Sequence, residues 1–187
     1  VRPGPRWLDR LERNALVRAV ERAGSARNIA IVKVLLNTGL RVQELCALTW
    51  RDVAITDRKG KLVVRSGKGR KRREIPLNTV ARNVLSALDY AKHAGSSDAV
   101  FNGQRGELTP RGVQGLFEKY AKAARLQDVS PHSLRHTFCK TLDAGASLPE
   151  VAALAGHESL ETTRRYCEPS IKDLQLTVGL IEQEREK

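Results

Sequence analysis

Residues 52–77 read DVAITDRKGKLVVRSGKGRKRREIPL. Elsewhere the apolar residues recur at helical spacing. Here the period shortens to that of strands, and three are predicted, over 52–56, 61–66 and 72–77. The glycine-bearing segment Gly67-Lys68-Gly69-Arg70-Lys71 separates the last two and reads as a turn, so the three form a small antiparallel sheet. Pro76 belongs at a strand end or on an edge, because it cannot donate to a ladder.

On both sides of this stretch the pattern is helical. Before it, residues 6–23 place Leu8, Leu11, Ala15 and Ala19 on one face, residues 29–36 form a second helix broken at Gly39, and 42–48 a third. After it, Val80, Val84, Leu88 and Ala91 make one face. Thr109-Pro110 is an N-cap followed by proline, with Val113, Leu116, Phe117, Tyr120 and Ala124 as the buried stripe behind it. Ser130-Pro131 repeats that start, and Gly145 offers a stop. Ser147-Leu148-Pro149-Glu150 is a capping box ended by Gly156, and a short helix follows over 160–166. Beyond Pro169, the residues Ile171, Leu174, Val178 and Ile181 build a last amphipathic helix before a charged tail. The fold expected is one mainly α domain over 1–187 carrying a three-stranded antiparallel sheet.

The 187 residues suffice for one substantial core, and 41% hydrophobic with 29% charged residues is the composition of a folded chain, not a disordered one. A net charge of +12 favours a polyanion as partner, most simply nucleic acid. Aromatic residues make up only 4%, which disfavours base-stacking platforms for single strands and leaves phosphate contacts to duplex DNA. Cys46, Cys139 and Cys167 are odd in number and far from CxxC spacing, so neither a disulfide framework nor structural zinc is expected. A cytoplasmic setting, no membrane span and no metal or other cofactor are the corresponding expectations. The chain contains no Met and starts at Val1, so it is expected to be a domain cut from a longer protein.

Six residues could serve one reaction: Arg41, Lys68, His132, Arg135, His157 and Tyr166. Two arginines, two histidines and a lysine can neutralise and protonate a phosphodiester, and a tyrosine can attack it. His132 and Arg135 share one helical face in a first turn, where free N–H groups and the helix dipole also favour an anion. Taken alone, they read more readily as a surface pair on a basic protein, because two residues three apart are a weak pattern. Arg41 opens a helix after a sharp turn, and Glu44 can hold its guanidinium or a neighbouring one, or simply form an intrahelical pair. The run Arg70, Lys71, Arg72, Arg73 beside Lys68 reads as a DNA-contacting patch or a solvated face. The segment 148–166 also resembles a helix-turn-helix reader, in which Tyr166 would be core or a phosphate contact. That segment alone does not decide.

Together these strings resemble the catalytic domain of the tyrosine recombinase (phage integrase) family. The resemblance is carried by Thr38-Gly39-Leu40-Arg41-Val42-Gln43-Glu44-Leu45, the Gly67-Lys68-Gly69 turn and His132-Ser133-Leu134-Arg135-His136-Thr137-Phe138. Leu154-Ala155-Gly156-His157 and Thr162-Thr163-Arg164-Arg165-Tyr166 complete it. It implies that Arg41 and Arg135 clamp the scissile phosphate and Lys68 protonates the leaving 5′ oxygen. It further implies that His132 handles the nucleophile's proton, His157 bonds a non-bridging oxygen, Tyr166 attacks, and Glu44 supports. Glu168 stands where many members have His. The resemblance also implies a missing N-terminal DNA-clamping domain and a homo-tetramer on paired DNA sites, with a monomer in the absence of DNA. Residues 170–187 would either pack on their own body or be exchanged between protomers. Two other readings are a non-enzymatic helix-turn-helix regulator and a type IB topoisomerase.

Overall fold

The computed structural model describes residues 6–65, 72–103, 106–157 and 159–167, of which 165–167 are described by their backbone alone. Helix α1 (Arg10–Arg22) starts at Asp9, whose carboxylate accepts from Glu12 N while Glu12 reaches back to Asp9 N. It begins four residues later than residue 6, because the preceding segment is extended. Its buried face is Leu16 and Val20, not the one expected: Leu11 is 72% exposed and Leu8 is buried from the extended segment.

Helix α2 (Ala26–Thr38) lies at the centre, against α1, and is apolar nearly all round, with Ala30, Ile31, Val32, Val34 and Leu35 fully buried. It ends at Gly39 in the left-handed conformation. Helix α3 (Val42–Cys46) follows, then a 3₁₀ turn (Trp50–Asp52). The expected sheet comes next: β1 (Val53–Ile55), β2 (Gly60–Val64) and β3 (Arg73–Pro76), antiparallel in the order β1-β2-β3, with Leu62 opposite Ile75. Pro76 ends the edge strand β3, where its missing N–H costs no ladder bond. The turn between β2 and β3, with Lys68, lies outside the described residues.

The expected single helix after the sheet is two, α4 (Thr79–Ser86) and α5 (Tyr90–His93), parted by Asp89 at a φ of 60°. The face that α4 buries is Ala81 and Leu85, while Val80 is exposed. A two-residue hairpin, β4 (Asn102–Gly103) with β5 (Gly106–Glu107), precedes α6 (Pro110–Ala123). The hairpin has no periodic sequence signal because each strand is too short to alternate.

Helices α6 and α7 (Pro131–Asp143) start as expected, at Thr109 and Ser130. Helix α7 ends at Ala144 in right-handed geometry, so Gly145 is not its left-handed stop. Helix α8 (Leu148–Ala155) is closed by Gly156 at a φ of 68°, and α9 (Leu160–Cys167) follows. Helix α7 lies against α2, α6, α8 and α9. One core joins α1, α2, α3, the sheet, α4, α6 and Leu134 of α7, while Phe138 and Cys139 of α7 form a smaller cluster with Val151 and Ala155 of α8. Two polar contacts tie distant elements together: Thr137 Oγ1 accepts from Leu8 N at 2.8 Å, and Asn28 donates to the Tyr120 hydroxyl at 2.9 Å. No helix among the described residues is long and apolar enough to cross a membrane. The expected helix over 171–181 lies outside the described residues.

Candidate active site

Two helix C-termini converge on one face of α7. Helix α8 leaves unsatisfied carbonyls at its end, which carries the negative pole of its dipole. Three successive carbonyls there are taken by three arginines. Arg73 Nε donates to Leu154 O at 3.2 Å, Arg135 Nη2 to Ala155 O at 2.7 Å, and Arg41 Nη2 to Gly156 O at 2.8 Å. Arg135 Nη1 also donates to Gly39 O at 2.5 Å, the carbonyl just past α2. Arg135 thus ties the ends of α2 and α8 together from its place on α7, with only 3% of the residue exposed. A planar guanidinium carries five N–H donors in a fork whose geometry suits an anion.

Both converging turns depend on glycine. At Gly39 a Cβ would lie 2.2 Å from the Phe138 ring, and at Gly156 it would lie 2.7 Å from the Arg73 guanidinium. Each residue also has a positive φ that suits glycine.

Glu44 is the counter-charge. It accepts from Arg41 N at 2.8 Å and Arg41 Nη1 at 3.0 Å, and it takes Arg73 in a two-pronged pair at 2.9 and 2.7 Å. Burial alone would raise its carboxyl, but the bonds from Arg73 and Arg41 override it and hold the group down at about 2. One carboxylate offsets one of three guanidinium charges, which leaves the site cationic.

The histidines line the same place. A cavity of about 300 Å³ is bounded by Arg41, His132, Arg135, His157 and Thr162, together with Leu40, Val42, Gln43 and Pro131. His157 Nδ1 and Thr163 Oγ1 are 2.8 Å apart, and His132 Nε2 and His136 Nε2 are 2.9 Å apart. Burial, then the nearby Arg135, Arg41 and Arg73, pushes His157 down to about 4. Burial and Arg135 lower His132 as well. Both rings are therefore neutral near pH 7, each able to donate through one nitrogen and accept through the other. Among the described residues no group of three His, Cys, Asp or Glu side chains comes together to hold a metal ion.

Of the six residues selected from the sequence, Arg41, His132, Arg135 and His157 stand around one cavity although the first and last are 116 positions apart in the chain. Tyr166 lies on α9, three positions after Thr163, which is the partner of His157. Lys68, Arg70 and Lys71 lie outside the described residues. Arg72 immediately precedes β3, with its side chain 68% exposed and paired with Glu74 at 3.1 Å. Arg73, expected as a DNA contact, is instead turned inward at 13% exposure and bound to Glu44. The signal for this was present: Arg73 alternates with the core residue Ile75 in β3, so the two share the inner face. Thr163 gave no comparable signal, because its pairing with His157 comes from the fold, whereas His136 lies one helical turn from His132 in the same string.

The family model described as the phage integrase family matches residues 6–172. A tyrosine recombinase XerC of Bifidobacterium longum (strain DJO10A) is 36% identical over 172 residues, covering 84% of this chain and 47% of that protein. The chain thus spans about half the length of the curated relatives it matches. The crystal structure of XerA recombinase superposes with a TM-score of 0.83 at 28% identity, covering 96% of this chain and 66% of that one. The XerH site-specific recombinase, solved as a post-cleavage complex with palindromic difH substrate, matches with a TM-score of 0.79 at 23% identity. That match covers 96% of this chain and 54% of the other and shows likeness of fold.

Proposed function

The chain belongs to the phage integrase family, and from that premise we propose that it cuts and rejoins duplex DNA through a covalent 3′-phosphotyrosine, with Tyr166 as nucleophile. The observation that carries this reading is the convergence of Arg41 and Arg135 with His132 and His157 around one cavity. A non-enzymatic DNA reader has no need of such an arrangement. The net charge of +12 together with the family supports duplex DNA as the partner here.

The chemistry follows from charge. A tyrosine with an ordinary pKa of about 10 is ionised about once in a thousand at pH 7, so reaching the phenolate costs about 4 kcal/mol. His132, neutral at that pH, accepts the hydroxyl proton as the oxygen attacks phosphorus. The pentavalent transition state gains negative charge on the non-bridging oxygens. Arg41, Arg135 and the N–H of His157 donate to these, and the two helix ends fix the guanidiniums beforehand so that little reorganisation is needed. Lys68 protonates the departing 5′ oxygen. The phosphotyrosine linkage conserves the bond, so rejoining runs the same steps in reverse without a nucleotide. Exchange between two duplexes requires four cuts, and we take a homo-tetramer on paired sites as the working assembly.

A duplex nicked beside the cut site traps the intermediate, because the short 5′ fragment diffuses away. Wild type should accumulate a protein–DNA adduct that survives denaturing gels, while Tyr166→Phe binds the duplex equally and forms none. An adduct formed by the Phe variant would remove Tyr166 from the reaction. Native gels of the same mixtures with two full sites should show a four-protomer complex, and a complex that stopped at one protomer per site would exclude the tetramer.

A further inference from the structure

The string His132-Ser133-Leu134-Arg135-His136 carries a second histidine to which the strand-cutting reading assigns no part. His136 is 4% exposed, one helical turn beyond His132 on α7. The two rings meet edge to face, with centroids 4.4 Å apart and planes at 84°, and the two Nε2 atoms are 2.9 Å apart. A nitrogen–nitrogen contact of that length is a hydrogen bond with one proton, so one Nε2 donates and the other accepts.

The two directions have different consequences. If His136 donated, the Nε2 lone pair of His132 would be engaged and its Nδ1 would carry the hydrogen. His132 could then take up a proton only by breaking the bond and setting two N–H groups against each other. If His132 donates, its Nδ1 is the nitrogen that carries the lone pair and can take up a proton, and the imidazolium that forms keeps the same bond to His136.

His136 is suited to the accepting part. Burial keeps it neutral, and a proton on it would also be opposed by any on His132, by the Arg135 charge, both on α7, and by any on His157 from the turn after α8. Its accepting lone pair is therefore retained at neutral pH. A base whose far nitrogen donates to a fixed acceptor is held in one tautomer and one orientation, as in the aspartate–histidine pair of serine proteases. Here the acceptor is a neutral ring, which adds no counter-charge to a site that must receive a phosphate.

We propose that His136 is a positioning residue whose Nε2 accepts the Nε2–H of His132 and so makes Nδ1 of His132 the atom that receives the nucleophile's proton. This rests on the strand-cutting reading for its purpose but not for its geometry. In the step it serves, the tyrosine O–H bond breaks, its electron pair goes to the new O–P bond, and the proton forms N–H at Nδ1 of His132.

The test is spectroscopic first. The chain has four histidines, so long-range ¹H–¹⁵N spectra of the ¹⁵N-histidine protein can be assigned by single substitutions. His132 should show a protonated Nε2 and an unprotonated Nδ1, with His136 as the Nδ1–H tautomer. A His132 ring protonated at Nδ1 overturns the proposal, whatever the activity. The second readout is single-turnover adduct formation. His136→Phe, which has no acceptor, should lose about 10- to 100-fold, part of what a general base contributes, with duplex affinity unchanged. His136→Gln, whose Oε1 can accept, should recover most of it. Equal loss in both variants with the His132 tautomer unaltered, or no loss in the Phe variant, also overturns it. If wild type forms no adduct at all, the strand-cutting reading fails while the tautomer measurement still decides the geometry.

Discussion

Arg73 ends a run of basic residues, yet its side chain is largely buried and gives two hydrogen bonds to Glu44 and one to Leu154 O. Through Glu44 it restrains Arg41, and by packing on Gly156 it restrains the turn that carries His157. Arg72, one residue earlier, points to solvent. The two arginines should therefore behave differently toward DNA. Each phosphate contact contributes about 0.9 to the slope of log affinity against log salt. Arg72→Ala should reduce that slope by about one contact with cleavage of bound DNA retained. Arg73→Ala should leave the slope unchanged, lower cleavage tenfold or more, and cost about 1.5–3 kcal/mol of stability as hydrogen bonds to a charged group are lost. A reduced salt slope for Arg73→Ala would return it to the DNA-contacting surface. The run's overall charge is legible in the sequence. Which member turns inward is legible only once Ile75 is known to face the core, since alternation fixes relative faces and not absolute ones.

Helices α2 and α8 end in the same way, at a left-handed glycine whose neighbourhood is filled by a side chain from another element. Gly39 faces the Phe138 ring of α7, and its carbonyl receives Arg135 from the same helix. Gly39→Ala therefore adds a strained φ and a steric overlap with an aromatic ring that is itself packed. We expect a loss of at least about 2 kcal/mol, which for a chain of this size lowers Tm by roughly 4–8 °C, together with weaker cleavage as Arg135 shifts. An unchanged Tm would show that the turn relaxes at little cost. The starts of α6, α7 and α8 are readable from Thr109, Ser130 and Ser147 because a cap is a local bond between residues three apart. The buried faces of α1 and α4 are not, and Leu11 and Val80 are exposed against expectation. When apolar residues occupy several sides of a helix, the neighbours that cover it choose the face, and those neighbours are distant in sequence. The same limit applies to the site: its residue types can be read along the chain, but the carbonyls of residues 154–156 as arginine acceptors cannot.

At the scale of the whole molecule, the site is a concentration of positive charge assembled from segments that the fold brings together, and this links stability to pH. Glu44, at about 2, ionises more readily in the folded chain than unfolded, so its contribution is present above pH 4.5 and is lost as pH falls toward 2. His136 and His157, each at about 4, resist protonation when folded but accept protons near pH 6.5 when unfolded. Their neutral burial favours the fold above pH 6.5 and loses ground as pH falls from 6.5 to 4. In both windows the unfolded state binds more protons, so both effects have the same sign and stability declines on acidification. Thermal melts should show Tm falling already between pH 6.5 and 5, before ordinary carboxylates titrate, and more steeply below 4.5. His157→Asn should flatten the upper part of that curve and leave the lower part intact. A bound phosphate opposes the guanidinium field that lowers His157, so folded protein on duplex DNA takes up a proton more readily than folded protein alone. The extra stability conferred by duplex should therefore grow as pH falls from 6.5 to 5. A duplex-dependent Tm gain that stayed constant or shrank over that interval would mean that no phosphate sits beside His157.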